Sequence, residues 1–103
     1  MLYPDGRDEV ICPHACPVVL RNPSASIEPL YEHLESQGIQ CKTLFGSLPT
    51  QHTAFRFLGY RPGTFPVAER IGRTGLHFGV HQYLTDEDIE FVADQIHAYF
   101  QRA

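Results

Sequence analysis

Gly38–Gly59, GIQCKTLFGSLPTQHTAFRFLG, is where the chain changes from one kind of structure to another. Gly38 ends an amphipathic run and suits the left-handed position that closes a helix. Ile39–Phe45 then alternates: Ile39, Cys41, Thr43 and Phe45 on one side, Gln40, Lys42 and Leu44 on the other. That is the period of a strand. After Gly46 the regularity stops. Pro49 bars a central strand, and Ser47, Thr50, Gln51, His52 and Thr53 put polar groups in a row. A polar loop at the end of a strand is a usual place for a binding edge.

Upstream, Val18–Arg21 reads as a strand, apolar and ended by Asn22-Pro23. Val10–Cys12 has the makings of a shorter one, and Pro13 and Pro17 interrupt the CPHACP stretch too often for a helix. Residues 1–12 form the lead-in, with a turn signal at Asp5-Gly6. Ser24 or Ser26 can cap a helix with Pro29 in its first turn, and Ile27, Leu30, Tyr31 and Leu34 give it one apolar stripe.

Downstream, Phe65-Pro66 begins a short helix that Gly72 is expected to stop. Leu76–His81 is the third strand, and His77 and His81 share its outer face. Thr85 caps the last helix, Asp86, Glu87 and Asp88 complement its dipole, and Leu84 and Ile89 are placed for a hydrophobic staple. Ile89, Val92, Ala93, Ile96 and Phe100 form its expected buried stripe. The order is strand, helix, strand, loop, short helix, strand, helix. It predicts an α+β two-layer sandwich: a small, mostly antiparallel sheet of three or four strands with two main helices on one face.

At 103 residues the chain supports one domain with one core, and 43% hydrophobic and 19% charged residues are globular proportions. Eight basic residues against twelve acidic ones, with no basic block, argue against nucleic acid as a partner. No apolar run approaches the roughly 20 residues of a membrane helix. The N-terminus does not read as a signal peptide, so a cytoplasmic location is expected. Cys12, Cys16 and Cys41 are an odd set, read most simply as reduced thiols.

The same stretches resemble the C-terminal domain of the DegT/DnrJ/StrS family, pyridoxal-phosphate enzymes acting on nucleotide-linked keto sugars. Gly38-Ile39 with Cys41-Lys42 sits where that family has Gly-Ile followed by Thr-Arg, and Ala54-Phe55 ends the loop as its Ala-aromatic pair does. His52-Thr53 replaces the family's Gln-Pro, and Gln51 falls near an Arg slot of the dehydrases. Pro66-Val67-Ala68-Glu69 matches a further segment. Gly79-Val80-His81 followed by Leu84-Thr85-Asp86-Glu87 and Ile89 resembles the closing motif, with Gln82-Tyr83 in place of Pro-Gly. Leu44-Phe45 is closer to the sugar 3-dehydrases of the family than to its aminotransferases.

The resemblance implies the small domain of the aspartate-aminotransferase-type fold over residues 13–103. It also implies a role in deoxysugar or lipopolysaccharide biosynthesis, with a large pyridoxal-phosphate domain, or self-association, as partner. Phe45, Gln51, His52 and His81 become the candidate substrate contacts. Phe45, Phe55, Phe57, Tyr60 and Phe65 become the aromatics that a missing large domain would leave bare.

Aminotransfer itself needs a lysine for the Schiff base, an acid for the pyridinium nitrogen and a phosphate cradle. Lys42 is the only lysine, and it falls in a strand; no glycine-rich phosphate loop is present. No catalytic or cofactor-binding residue is therefore assigned, and no cofactor is expected on this chain alone. A stand-alone interaction or ligand-binding module of the same architecture is the competing reading. Cys12-x3-Cys16 with His77-x3-His81 formally fits zinc spacing, but Pro13 and Pro17 stiffen the first pair and no metal is assigned.

Overall fold

The computed structural model describes residues 6–44 and 48–102. Three strands, β1 (Ala15–Val19), β2 (Cys41–Thr43) and β3 (Gly75–Gly79), form an antiparallel sheet in the order β1-β3-β2. The last strand in sequence is therefore the central one. The three α-helices are α1 (Glu28–Ser36), α2 (Pro66–Thr74) and α3 (Asp86–Arg102). The expected α+β class holds.

The register decides which side chains meet. Cys16 and Cys41 flank Phe78, and Val18 and Thr43 flank Leu76. Because strand side chains alternate, these residues share one face. On it Leu76 and Cys41 join Ile27, Leu30, Leu34 and Ile39 in the core, with Val92, Ile96 and Tyr99 of α3 packed alongside. Leu30, Leu34 and Leu76 are fully buried. Helices α1 and α3 thus cover a single face. His33 of α1 ties them together: its Nε2 lies 3.1 Å from the Gln95 carbonyl, which can only accept, and its ring packs 5.7 Å from that of Tyr99.

Helix α1 follows its sequence except at its cap: the N-cap is Ile27, which has no capping side chain, and Ser26 stands one residue before it. Ser26 Oγ accepts the Glu28 N–H at 3.3 Å, and Pro29 lies in the first turn. At the other end Gly38 has φ 80°, and the Ile39 and Gly38 N–H groups donate to Leu34 and Glu35 carbonyls at 3.0 Å each. That is the Schellman closure. The Cys41 N–H then donates to Glu35 Oε1 at 2.9 Å, which fixes β2 to the helix before it.

Four boundaries differ from expectation. First, β1 starts at Ala15 and runs through Pro17, so it lies earlier than Val18–Arg21. The Leu20 N–H donates to the Thr74 carbonyl, so the inward N–H positions are 20, 18 and 16. The nitrogen of Pro17 faces away from β3, where the ladder needs no donor. Second, Val10–Cys12 is not a strand. Ala15 pairs with Gly79, the last residue of β3, so the ladder with β3 begins only at Ala15.

Third, Gly72 does not stop α2, which continues to Thr74 and passes straight into β3. Its last carbonyls are satisfied from elsewhere in the chain: Arg73 O by the Ile27 N–H at 3.0 Å and Thr74 O by the Leu20 N–H at 2.9 Å. Buried Thr74 turns its hydroxyl to the Arg70 carbonyl. Fourth, β2 and β3 are shorter than the alternation implied, so His81 lies beyond the strand.

The cap of α3 is reciprocal. The Asp88 N–H donates to Thr85 Oγ1 at 3.1 Å, while the Thr85 N–H and hydroxyl both donate to Asp88 Oδ2 at 2.9 Å. The Thr85 backbone and hydroxyl hold the Asp88 carboxyl below its ordinary value. The buried face of α3 is rotated from the expected stripe: Val92, Ile96 and Tyr99 pack inward, while Ile89 and Phe100 are exposed. The Leu84–Ile89 staple consequently buries little.

Candidate functional site

The segment between β2 and α2 folds more than its sequence suggests. Pro49–Gln51 and Thr53–Leu58 are short 3₁₀ helices, closed by Gly59 at φ 77°. Tyr60 and Phe65 rings pack 5.1 Å apart across a turn containing Gly63 at φ 93°. Within that turn the Thr64 N–H donates to the Arg61 carbonyl, and the Arg61 N–H donates to Thr64 Oγ1. Glu69, in the first turn of α2, gathers both ends of the segment. Its Oε1 accepts from Gln51 Nε2 at 2.8 Å and from the Gly63 N–H at 2.7 Å.

The outer side of this segment is apolar. Phe57 is 81% exposed and Val67 68%, with Phe55, Leu58, Tyr60 and Phe65 also in contact with solvent. Thr64–Ala68 and Ile71 line an open groove of about 420 Å³ beside them. Of the aromatics expected to be bare, Phe55, Phe57, Tyr60 and Phe65 are exposed; Phe45 lies outside the described residues.

The candidate contacts are distributed unevenly. Phe45 cannot be placed, for the same reason. Gln51 and His52 are exposed, and the Gln51 amide N–H is engaged by Glu69. His81 is also exposed; its Nδ1 accepts the Tyr83 N–H at 3.2 Å, so a ring proton in the neutral form sits on Nε2. The Gln51 segment leaves β2 after Thr43, which pairs with Leu76 near the start of β3. His81 follows the far end of β3. Five strand residues at about 3.4 Å rise separate these exits by ~14 Å. No hydrogen bond among the described residues joins the two regions.

Lys42 is exposed in β2, on the sheet face away from the helices, paired in register with His77. A Schiff-base lysine works from a desolvated pocket or beside an activating group. Lys42 has neither, and no ion pair holds it among the described residues. The residues present do not fit pyridoxal phosphate.

Nor do the zinc-spaced pairs converge. Cys16 faces the helices with Phe78, whereas His77 pairs with Pro17 on the opposite face. Among the described residues no three His, Cys, Asp or Glu side chains cluster as a metal site would require.

The family model of the DegT/DnrJ/EryC1/StrS aminotransferase family matches residues 3–97. The chain belongs to this family. No curated protein matches it. The DegT-type assignment agrees with the motif order along the chain, and the family is pyridoxal-phosphate dependent. No helix of the described residues is long and apolar enough to cross a membrane. Sequence reading overlooked Glu69 as an organiser of the site. It belongs to the Pro66–Glu69 segment, and nothing in local spacing links it to Gln51, 18 residues away.

The three cysteines differ sharply in access. Cys12 is exposed, Cys16 half-buried and Cys41 buried, and all three are free thiols. Cys16 and Cys41 occupy the two outer strands, about 10 Å apart at ordinary strand spacing, beyond disulfide reach. Burial, and then the adjacent Glu35 carboxylate, push the Cys41 thiol up to about 11. A thiol raised above its ordinary value near 9 supports the fold fully below that value. Between about pH 9 and 11 the unfolded chain holds fewer protons than the folded one, so stability falls with rising pH. Denaturant midpoints should decline over that window, and Cys41→Ala should flatten the decline. At neutral pH, Cys12 should react with a thiol reagent first and Cys41 last.

Proposed function

We propose that the chain acts as the C-terminal small domain of a DegT-type enzyme, closing over a nucleotide-linked keto sugar held by a separate large pyridoxal-phosphate domain. The parent chemistry would be amination or 3-dehydration in deoxysugar or lipopolysaccharide biosynthesis. Membership of the family supports the class, and the Leu44-Phe45 pair favours the dehydrase branch. The observation that carries the reading is the apolar edge from Phe55 to Val67, which stands in solvent beside a groove. Large aromatics gathered on one segment mark a surface that another body covers.

In this arrangement the large domain supplies the Schiff-base lysine and the phosphate cradle. The small domain excludes water and offers hydrogen bonds from Phe45–Phe55. His52 and the free carbonyl of the Gln51 side chain are the candidate contacts there. His81, at the other end of β3, would meet the complex only if the large domain spans both ends of the sheet. A second copy of the chain is the alternative cover for the apolar edge, and a soluble cytoplasmic enzyme is the expected setting.

Co-expression with a large pyridoxal-phosphate domain of the family tests this directly. The two should co-purify, bind the cofactor with its characteristic absorbance, and lose the association when Phe57 is changed to Ser. A monomer that ignores every such partner and binds no hydrophobic dye would favour an independent interaction module instead.

A further inference from the structure

We propose that Glu69 is the positioning residue that folds residues 49–64 in the free chain, so that the apolar edge is pre-formed before any partner arrives. The docking role of that edge rests on the function proposed above; the folding role of Glu69 does not.

The segment has little else to order it. Residues 51–67 are all exposed, and none of them contributes to the core. Its two 3₁₀ helices are short, and such helices are weakly held on their own. The Arg61–Thr64 hydrogen bonds close the turn locally, and the Tyr60–Phe65 ring contact spans it. What joins the first 3₁₀ helix, the turn and α2 is one carboxylate oxygen. Gln51 Nε2 reaches it across 18 residues and the Gly63 N–H across six, at 2.8 and 2.7 Å.

Both distances are in the short range of hydrogen bonds to an ionised acceptor, the stronger kind. Glu69 is itself anchored: its N–H donates to the Phe65 carbonyl in the first turn of α2, where the helix dipole favours a negative charge. The rigid member of the arrangement is therefore the helix, and the segment hangs from it. Gly63 fits this role because φ 93° aims its N–H where an L side chain would be strained. Ordering the segment in advance removes part of the entropy that a partner would otherwise have to overcome.

Limited trypsinolysis of the full chain, with amide exchange, tests the proposal. Arg56, followed by Phe57, is exposed in the second 3₁₀ helix and reports its opening. In Glu69→Ala, cleavage after Arg56 and exchange at the Gly63 amide should each rise about tenfold, the scale expected for losing charge-assisted hydrogen bonds that hold a segment. Glu69→Gln retains an acceptor oxygen and should show a smaller rise. Gln51→Ala cuts one arm, so Arg56 cleavage should rise while Gly63 stays protected; this variant carries the test if Glu69→Ala does not fold. Unchanged cleavage and exchange in Glu69→Ala would overturn the proposal. So would a uniform rise at core amides with a lowered thermal midpoint, which would make Glu69 a general stability residue. Neither outcome bears on whether a large domain binds.

Discussion

Leu76→Ala is expected to lower the unfolding free energy by about 2–5 kcal/mol, the range for emptying a fully buried leucine site. Leu76 has no exposed surface and sits at the middle of the sheet, paired with Val18 on one side and Thr43 on the other. It faces the leucines of α1, which are themselves fully buried. Both strands and the covering helix are held around it, so the neighbouring side chains cannot easily collapse into the space. A chain of this size has only about 5–15 kcal/mol of stability in total, so the variant should lose a large share of it. Urea titration should show a lower midpoint with an unchanged slope. Phe57→Ala, at an 81% exposed position, should leave that midpoint almost unmoved while weakening partner association. The pair separates residues that hold the fold from residues that wait for a partner.

Gly75→Ala is expected to destabilise by about 1–3 kcal/mol, through overpacking. The backbone at Gly75 is ordinary extended chain, at φ −116° and ψ 144°, so the requirement is for space and not for conformation. An added Cβ would come within 2.7 Å of the Ile71 carbonyl oxygen and 2.8 Å of Leu44 Cδ1. Leu44 Cδ1 could rotate away, but Leu44 Cβ, at 3.0 Å, could not. The Ile71 carbonyl belongs to α2 and cannot move without shifting the helix against the sheet. Because Gly75 O also accepts the Leu44 N–H at 3.1 Å, any shift is passed to the exit of β2. Gly79, at the other end of the same strand, has open space where a Cβ would go. Gly79→Ala is the matched control, and the difference between the two thermal midpoints measures the contact.

Local chemistry wrote much of this molecule directly. The stripe Ile27, Leu30, Leu34 has helical period, Gly38 takes the conformation that only glycine adopts freely, and Thr85 lies three residues before an acid that can return its hydrogen bond. Each involves residues within a few positions of one another, so spacing in the chain is also spacing in space. Motif order likewise led to the family that the comparison establishes over residues 3–97.

Other features depended on residues far apart in the chain. Gly72 looked like a stop, yet α2 runs past it because Leu20 and Ile27 supply donors for its last carbonyls. Pro17 looked like a break, yet β1 includes it because the register turns its nitrogen away from β3. The buried face of α3 is the one that Val92, Ile96 and Tyr99 present to the core residues of α1 and the sheet, a choice its own pattern does not specify.

The candidate site shows the same division. That Gln51 and His52 lie in an exposed polar segment was legible from Pro49 and its neighbours. That the Gln51 amide is held by Glu69, and that His81 leaves the sheet from the other end, was not. Periodicity and capping determined which elements form; the register of β3 between its two neighbours decided where they stop, what they cover and which side chains meet. The physical reason is that a hydrogen bond or a packed contact depends on distance in space, and sequence spacing fixes that distance only within a turn or two of chain.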